Sequence, residues 1–160
     1  MKRAIVIGCP GSGKSTFSRR LRDKTGLPLY YLDQLYWRAD KTHLTREAFD
    51  ERLNAILMRD EWIIDGNYAR TLPARLARCD AVFFLDYPAE VCLAGVAGRR
   101  GVQREDMPWV ETEADAAFIE FIQRFSADTR PVILEALRGA NGVAVYRFKD
   151  RIDAETYLNP

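Results

Sequence analysis

The chain carries almost no net charge. Its 24 lysines and arginines stand against 23 aspartates and glutamates in 160 residues, so no overall field favours a polyanion or an acidic membrane surface. Cysteine is scarce. Cys9, Cys79 and Cys92 are odd in number and lack any C-x-x-C spacing, which argues against a disulfide framework and against a zinc site. A reduced, cytoplasmic protein is expected. Long apolar runs are missing as well: Met1-Lys2-Arg3 leads into only Ala4–Ile7 before a glycine-rich stretch, so neither a secretory leader nor a membrane span is expected. Repeats, low-complexity tracts and linkers are also missing. A hydrophobic content of 48% supports a real core, and one domain over residues 1–160 is predicted.

What is present is concentrated near the start. Gly8-Cys9-Pro10-Gly11-Ser12-Gly13-Lys14-Ser15-Thr16 is a full G-x-x-x-x-G-K-[ST] motif between a β-branched apolar run and a breaker-free stretch. Strand, glycine-rich turn and helix are the context in which the motif cradles phosphate. Glycines let successive N–H groups converge on phosphate oxygens at a helix start. Gly8, Pro10, Gly11, Ser12, Gly13, Lys14, Ser15 and Thr16 are therefore candidate nucleotide-binding residues. Lys14 reaches the β- and γ-phosphates, and the Ser15 hydroxyl ligates Mg²⁺. ATP and Mg²⁺ are the expected cofactors. Cys9 lies at the same helix start, where thiol acidity tends to rise, and modest oxidative sensitivity is expected there.

Beyond the loop, strands are predicted at 28–32, 62–64, 81–85 and 143–146. Helices are predicted at 89–99, 114–125, 131–137 and 154–158, with a further one opened by Thr45 and carrying Phe49, Leu53, Ile56 and Leu57. Alternating strands and helices imply a three-layer α/β/α domain with a five-stranded parallel sheet. Ligands of such sheets bind beyond the carboxyl ends of the strands, where Asp33, Asp65 and Asp86 are expected. Each carboxylate there can hold Mg²⁺ directly or through water, orient an acceptor hydroxyl, or cap the next helix. Arg70 adds a charge at the same rim. Arg99, Arg100 and Arg104 flank Gly101 and suit a loop that closes over phosphates, or alternatively a solvated helix end. Glu111, Glu113 and Asp115 suit the start of the following helix. Tyr30, Tyr31, Tyr36, Trp37 and Tyr68 either stack on a planar acceptor or pack an insert near 33–60.

Three stretches carry a family likeness: Leu32-Asp33-Gln34-Leu35-Tyr36-Trp37, Ile64-Asp65-Gly66-Asn67-Tyr68, and the tract from Arg104-Glu105-Asp106-Met107 to Thr129-Arg130-Pro131-Val132-Ile133-Leu134. Together they resemble the small bacterial DNA topology modulation proteins, an adenylate-kinase-related group. Trp62 to Thr71 also resembles the adenylate-kinase segment built on D-G-F-P-R-T, and Gly98-Arg99-Arg100 resembles the G-R-R that enters the lid. The likeness implies a P-loop NTPase fold of the nucleoside- and nucleotide-kinase type, with a short lid near 99–113. It implies that Lys14 and Ser15 serve ATP and Mg²⁺, and that Asp65 lies near the metal and its waters. It implies that Arg70 faces the acceptor or the transferred phosphate, and that Arg99, Arg104 and Arg130 belong to the lid. Gly95 departs from the pattern, standing where adenylate kinases carry an arginine that stacks on adenine. The expected activity is phosphotransfer from ATP to a nucleoside, nucleotide or similar small acceptor, with Lys14, Asp33, Asp65, Arg70, Arg99 and Arg104 as catalytic candidates. The rival reading is a nucleotide-binding regulator of DNA topology, but direct nucleic-acid contact is disfavoured because no basic stripe or recognition helix is present. A signalling GTPase is disfavoured because N-K-x-D and D-x-x-G motifs are missing.

Overall fold

The computed structural model describes residues 1–113 and 115–160. Five strands, β1 (Arg3–Gly8), β2 (Leu29–Tyr31), β3 (Trp62–Asp65), β4 (Ala81–Leu85) and β5 (Ala144–Phe148), form one sheet in the order β2-β3-β1-β4-β5. All four pairings are parallel. Parallel strands covered on both faces read as continuous apolar runs rather than alternating ones. Accordingly β3 and β4 are buried at every residue and β1 at all but Arg3. The edge strand β5 is exposed over its first four residues.

Eight helices flank the sheet among the described residues: α1 (Lys14–Thr25), α2 (Leu32–Tyr36), α3 (Arg46–Leu57), α4 (Leu72–Leu76), α5 (Ala89–Gly98), α6 (Ala116–Asp128), α7 (Arg130–Arg138) and α8 (Arg151–Leu158). Local chemistry sets their ends. Gly26 closes α1 in the left-handed conformation at φ +75°, where a side chain would be strained. Thr45 caps α3 by accepting from the Ala48 amide at 3.2 Å. Asp115 caps α6 through Phe118 at 2.7 Å; Ala114, included in the sequence-based helix, lies outside the described residues. Phe17 of α1 meets Phe83 of β4 and Phe148 of β5 at centroid distances of 5.3 and 5.6 Å. Phe17 thereby fixes the helix that follows the glycine-rich loop onto the sheet. None of the helices among the described residues is long and apolar enough to cross a membrane.

Topology locates the crevice. β1 leads through α1 towards β2, while its neighbour β4 leads outward to β5. Connections leaving adjacent strands in opposite directions open a gap at their carboxyl ends. The glycine-rich loop after β1 and helix α5 after β4 line that gap.

Two elements depart from expectation. Asp33 does not end a strand: β2 stops at Tyr31, and Asp33 lies in the first turn of the five-residue α2. A 3-10 turn, Ala69–Thr71, and α4 follow β3, in a stretch too short to show helical periodicity.

Candidate active site

Around the loop after β1, the backbone is held by neighbours as well as by its own bond from the Ser12 amide to the Cys9 carbonyl at 3.0 Å. Asn67, just beyond β3, accepts from the Gly8 amide at 3.0 Å and donates to the Gly8 carbonyl at 2.6 Å. Gly11 and Gly13 adopt φ +85° and +94°, conformations open to glycine at little cost. Gly11 also lies against α5. A Cβ there would fall 2.0 Å from the Cys92 carbonyl oxygen, and one on Gly95 would fall 2.0 Å from the Gly11 carbonyl oxygen. Gly95 therefore departs from the adenylate-kinase pattern for a steric reason: an arginine there would collide with the phosphate cradle. Cys9 is buried, and its thiol pKa is raised by contact with Cys92 and by burial, corrections to the acidified thiol expected from the helix start.

The first turn of α1 has no acidic residue, so its free N–H groups and positive dipole end face the cavity uncompensated. That cavity holds about 730 Å³. Pro10, Gly11, Gly13, Lys14, Ser15 and Thr16 form its floor, whereas Gly8 and Ser12 support the loop from beneath. The Lys14 ammonium lies 3.5 Å from the Cys9 carbonyl.

Opposite the loop stand three carboxylates. Asp65, at the end of β3, is 5% exposed and its Oδ2 has no hydrogen-bond partner. Burial pushes its pKa up to about 6 against the opposing charge of Lys14. Asp33 accepts from the Tyr68 hydroxyl at 2.6 Å; burial raises its pKa, and that bond and Lys14 act against the rise. Asp106 is likewise 5% exposed with Oδ1 unpartnered. Tyr68 is at φ +36°, a conformation costing a bulky residue on the order of 1–3 kcal/mol. Arg75 of α4, fully buried, holds this turn by donating to the carbonyls of Gly66 at 2.9 Å, of Asn67, and of Tyr68 at 3.4 Å.

The orphaned Asp65 oxygen beside Ser15 suits a hydrated Mg²⁺. No group of three His, Cys, Asp or Glu side chains among the described residues forms a metal cage. Mg²⁺ ordinarily takes one or two protein ligands with phosphate and water supplying the rest, so these residues fit the ion. Asp65 also makes a stability prediction. Its pKa is higher in the folded chain, about 6, than the ordinary 3.8, so its ionisation opposes folding. The penalty is absent below about pH 4, grows as pH rises through 6, and reaches about 3 kcal/mol above that. Urea unfolding without Mg²⁺ should show Asp65→Asn gaining on the wild type between pH 4 and pH 7; a gap independent of pH would contradict this.

Residues 99–113 are folded down over the cavity. Arg99 Nε lies 3.3 Å from Glu111, and Arg104 lies 3.3 Å from Glu111 and 3.4 Å from Asp106. Burial lowers the Arg99 pKa, and the neighbouring Arg104 adds to the effect. Glu105 pins the segment at its far side: its carboxylate accepts from the Tyr31 hydroxyl at 2.5 Å and pairs with Arg22 at 3.0 Å, and its carbonyl accepts from Gln34 at 2.8 Å.

The cavity thus gathers Lys14, Ser15, Asp33, Asp65, Arg99 and Arg104. Arg70 is not brought there. Its guanidinium makes a bidentate pair with Asp50 of α3 at 2.8 and 3.1 Å. Arg130 and Arg147 both pair with Asp86, at 2.9 and 2.8 Å, so Asp86 ties α7 and β5 to the end of β4. Among the aromatics, Trp37 and Tyr68 reach the cavity, joined by Trp109, while Tyr36 packs beneath them against His43, Phe49 and Tyr68. Sequence reasoning missed Asp106 and also Arg151. Arg151 Nη1 donates to the Ser12 carbonyl at 3.3 Å, and its guanidinium lies 5.7 Å above Tyr87 at the donor end of the cavity. An arginine at a helix start is the one signal pointing to it, since a basic residue is unfavourable against the dipole there.

Comparison with known proteins agrees with this geometry. No family model matches the chain. The adenylate kinase of Thermotoga neapolitana is 27% identical over 97 residues, 59% of this chain and 43% of that protein. The adenylate kinase of Thermotoga maritima is 28% identical over 97 residues with the same coverage. The match therefore spans less than half the length of these curated relatives. A shikimate kinase from Acinetobacter baumannii, solved in complex with shikimate, superposes with a TM-score of 0.63 at 17% identity, covering 99% of this chain and 91% of that one. A shikimate kinase from Aquifex aeolicus gives 0.58 at 18% identity, covering 98% and 91%. The chain has the P-loop NTPase kinase fold, similar to adenylate kinases in part of its sequence and to shikimate kinases in three dimensions.

Proposed function

We propose that this chain is an ATP- and Mg²⁺-dependent phosphotransferase that moves the γ-phosphoryl group of ATP to a hydroxyl of a small acceptor such as a nucleoside. The observation that carries this reading is a half-buried carboxylate, Asp33, fixed by Tyr68 and sharing one cavity with the loop lysine. An acceptor phosphate needs several cations and no base, whereas an acceptor hydroxyl needs a carboxylate to orient it and take its proton. Asp33 supplies that carboxylate. The geometry offers a poor receiver for an acceptor phosphate, because Arg70 is engaged by Asp50.

Loop amides and Lys14 would hold the donor polyphosphate. Ser15 and Asp65 would hold Mg²⁺, which would offset the negative charge of the donor phosphates. Arg99 and Arg104 would exchange Glu111 for the transferring group, whose charge a planar guanidinium matches well. Residues 99–113 would exclude water, so that the phosphoryl group passes to the acceptor rather than to solvent. Kinship with the DNA topology modulation proteins rests on the three sequence blocks given above. A direct action on DNA is not favoured, because the chain has a formal net charge of +1 and phosphate-backbone binding is driven by clustered cations.

The test is ADP release with ATP, Mg²⁺ and panels of nucleosides, nucleotides and polyols, with the phosphorylated product identified by mass spectrometry. Transfer to an alcohol is expected. Failure across all three panels by correctly folded protein that binds ATP would overturn the kinase reading.

A further inference from the structure

The acceptor end of the cavity has its polar groups out of balance. The arginines there lie against carboxylates, Arg99 at 3.3 Å from Glu111 and Arg104 at 3.3 Å from Glu111 and 3.4 Å from Asp106, although Arg99 Nε has no hydrogen-bond partner. Lys41 and Arg100 reach the cavity only from exposed positions. Among the carboxylates, Asp106 is under-used. The Asp106 side chain is 7% exposed; its Oδ2 lies 3.4 Å from Arg104, and its Oδ1 has no partner. A buried acceptor atom left unpaired is unfavourable, so a ligand offering an O–H or N–H at that point relieves a standing deficit. An anionic ligand would instead meet Asp33 and Asp106 in a desolvated space and be repelled. The wall beside them is aromatic, with Trp37 and Trp109 in edge-to-face contact at 5.6 Å. The Lys41 ammonium already rests 5.8 Å above the Trp109 ring, so this wall accommodates a positive charge.

We infer that the acceptor is a non-anionic alcohol carrying a second hydrogen-bond donor, and that Asp106 is the specificity-determining residue that receives this donor. The inference rests on the phosphotransferase reading and narrows it: one hydroxyl faces Asp33 and is phosphorylated, and a second hydroxyl or an ammonium faces Asp106. Acceptors that carry a phosphate monoester or a carboxylate are disfavoured.

Two arms separate the sources of the second donor. One offers neutral alcohols (adenosine, cytidine, thymidine, glycerol, inositol), and the other offers amino alcohols (ethanolamine, kanamycin). AMP, CMP and shikimate serve as anionic comparators. Transfer, or binding to the ATP-loaded protein by calorimetry, is expected in at least one non-anionic arm and at a higher kcat/KM than for any comparator. Asp106→Asn should then raise the acceptor KM by about ten-fold or more, the usual cost of replacing a charge-assisted bond by a neutral one. A merely structural role would lower the melting temperature and leave the acceptor KM unmoved, and that result would overturn the assignment. Preference for an anionic acceptor would also overturn it while the kinase reading stands, as would ATP binding with neither binding nor transfer in both non-anionic arms. Failure to bind ATP with Mg²⁺ at all would instead overturn the kinase reading itself.

Discussion

Asparagine at position 33 should lower phosphotransfer by about 10²–10⁴-fold, the range associated with losing a general base. The substitution preserves shape, and the Tyr68 hydroxyl can still donate to the amide oxygen, so the pocket should keep its form and ATP its affinity. The loss should therefore fall on kcat. In the wild type, kcat/KM should decline as pH falls through the Asp33 pKa, because only the ionised carboxylate accepts the hydroxyl proton. Burial places that pKa above the ordinary 3.8, and the acidic limb should vanish in Asp33→Asn. Unchanged turnover would mean that the acceptor needs no base, as a phosphate would not.

Alanine at position 14 should lower turnover by about 10²-fold or more, as expected on removing one electrostatic stabiliser of the transferring group. Below about pH 4 stability should change little, because the Lys14 ammonium makes only a 3.5 Å contact with the Cys9 carbonyl and alanine suits the first turn of α1. At neutral pH the variant should be less stable, since Asp33 and Asp65 lose an opposing charge. There is a second consequence. Lys14 holds down the pKa values of both Asp33 and Asp65, so its removal should push both upward. The acidic limb of the pH–rate profile should then move to higher pH in Lys14→Ala. Steady-state kinetics from pH 4 to 9 would show it, and wild-type turnover in the variant would exclude the role given to Lys14.

The parts of the structure that sequence foretold are those whose determinants are local. Strands β3 and β4 are buried on both faces, and Trp62-Ile63-Ile64 and Ala81 to Leu85 are correspondingly apolar without interruption. The phosphate-binding loop is legible for the same reason, since its glycines, lysine and serine are consecutive. Asp33 was legible as a carboxylate lining the crevice but not as a helical residue, because α2 is only five residues long. Arg70 looks like a site residue until α3 brings Asp50 beside it, a contact 20 residues distant in sequence. The acids after Arg104 look like helix-start charges, and Asp115 is one, yet Glu111 turns back to bridge two arginines. Arg75 has no local signature at all: nothing in its neighbourhood announces a guanidinium that is fully buried on backbone carbonyls. Pairing between distant charges depends on how elements dock, and composition does not encode that.

The backbone contact between Gly11 and Gly95 has a consequence for motion. Helix α5 touches the glycine-rich loop through Cys92, Gly95 and Val96 and runs on within one turn into Arg99 and the covering segment. At the Gly11–Gly95 contact backbone meets backbone, so little there can absorb a displacement. A tilt of α5 would therefore shift the loop amides, so the position of the covering segment and the shape of the loop are geared together through two missing methyl groups.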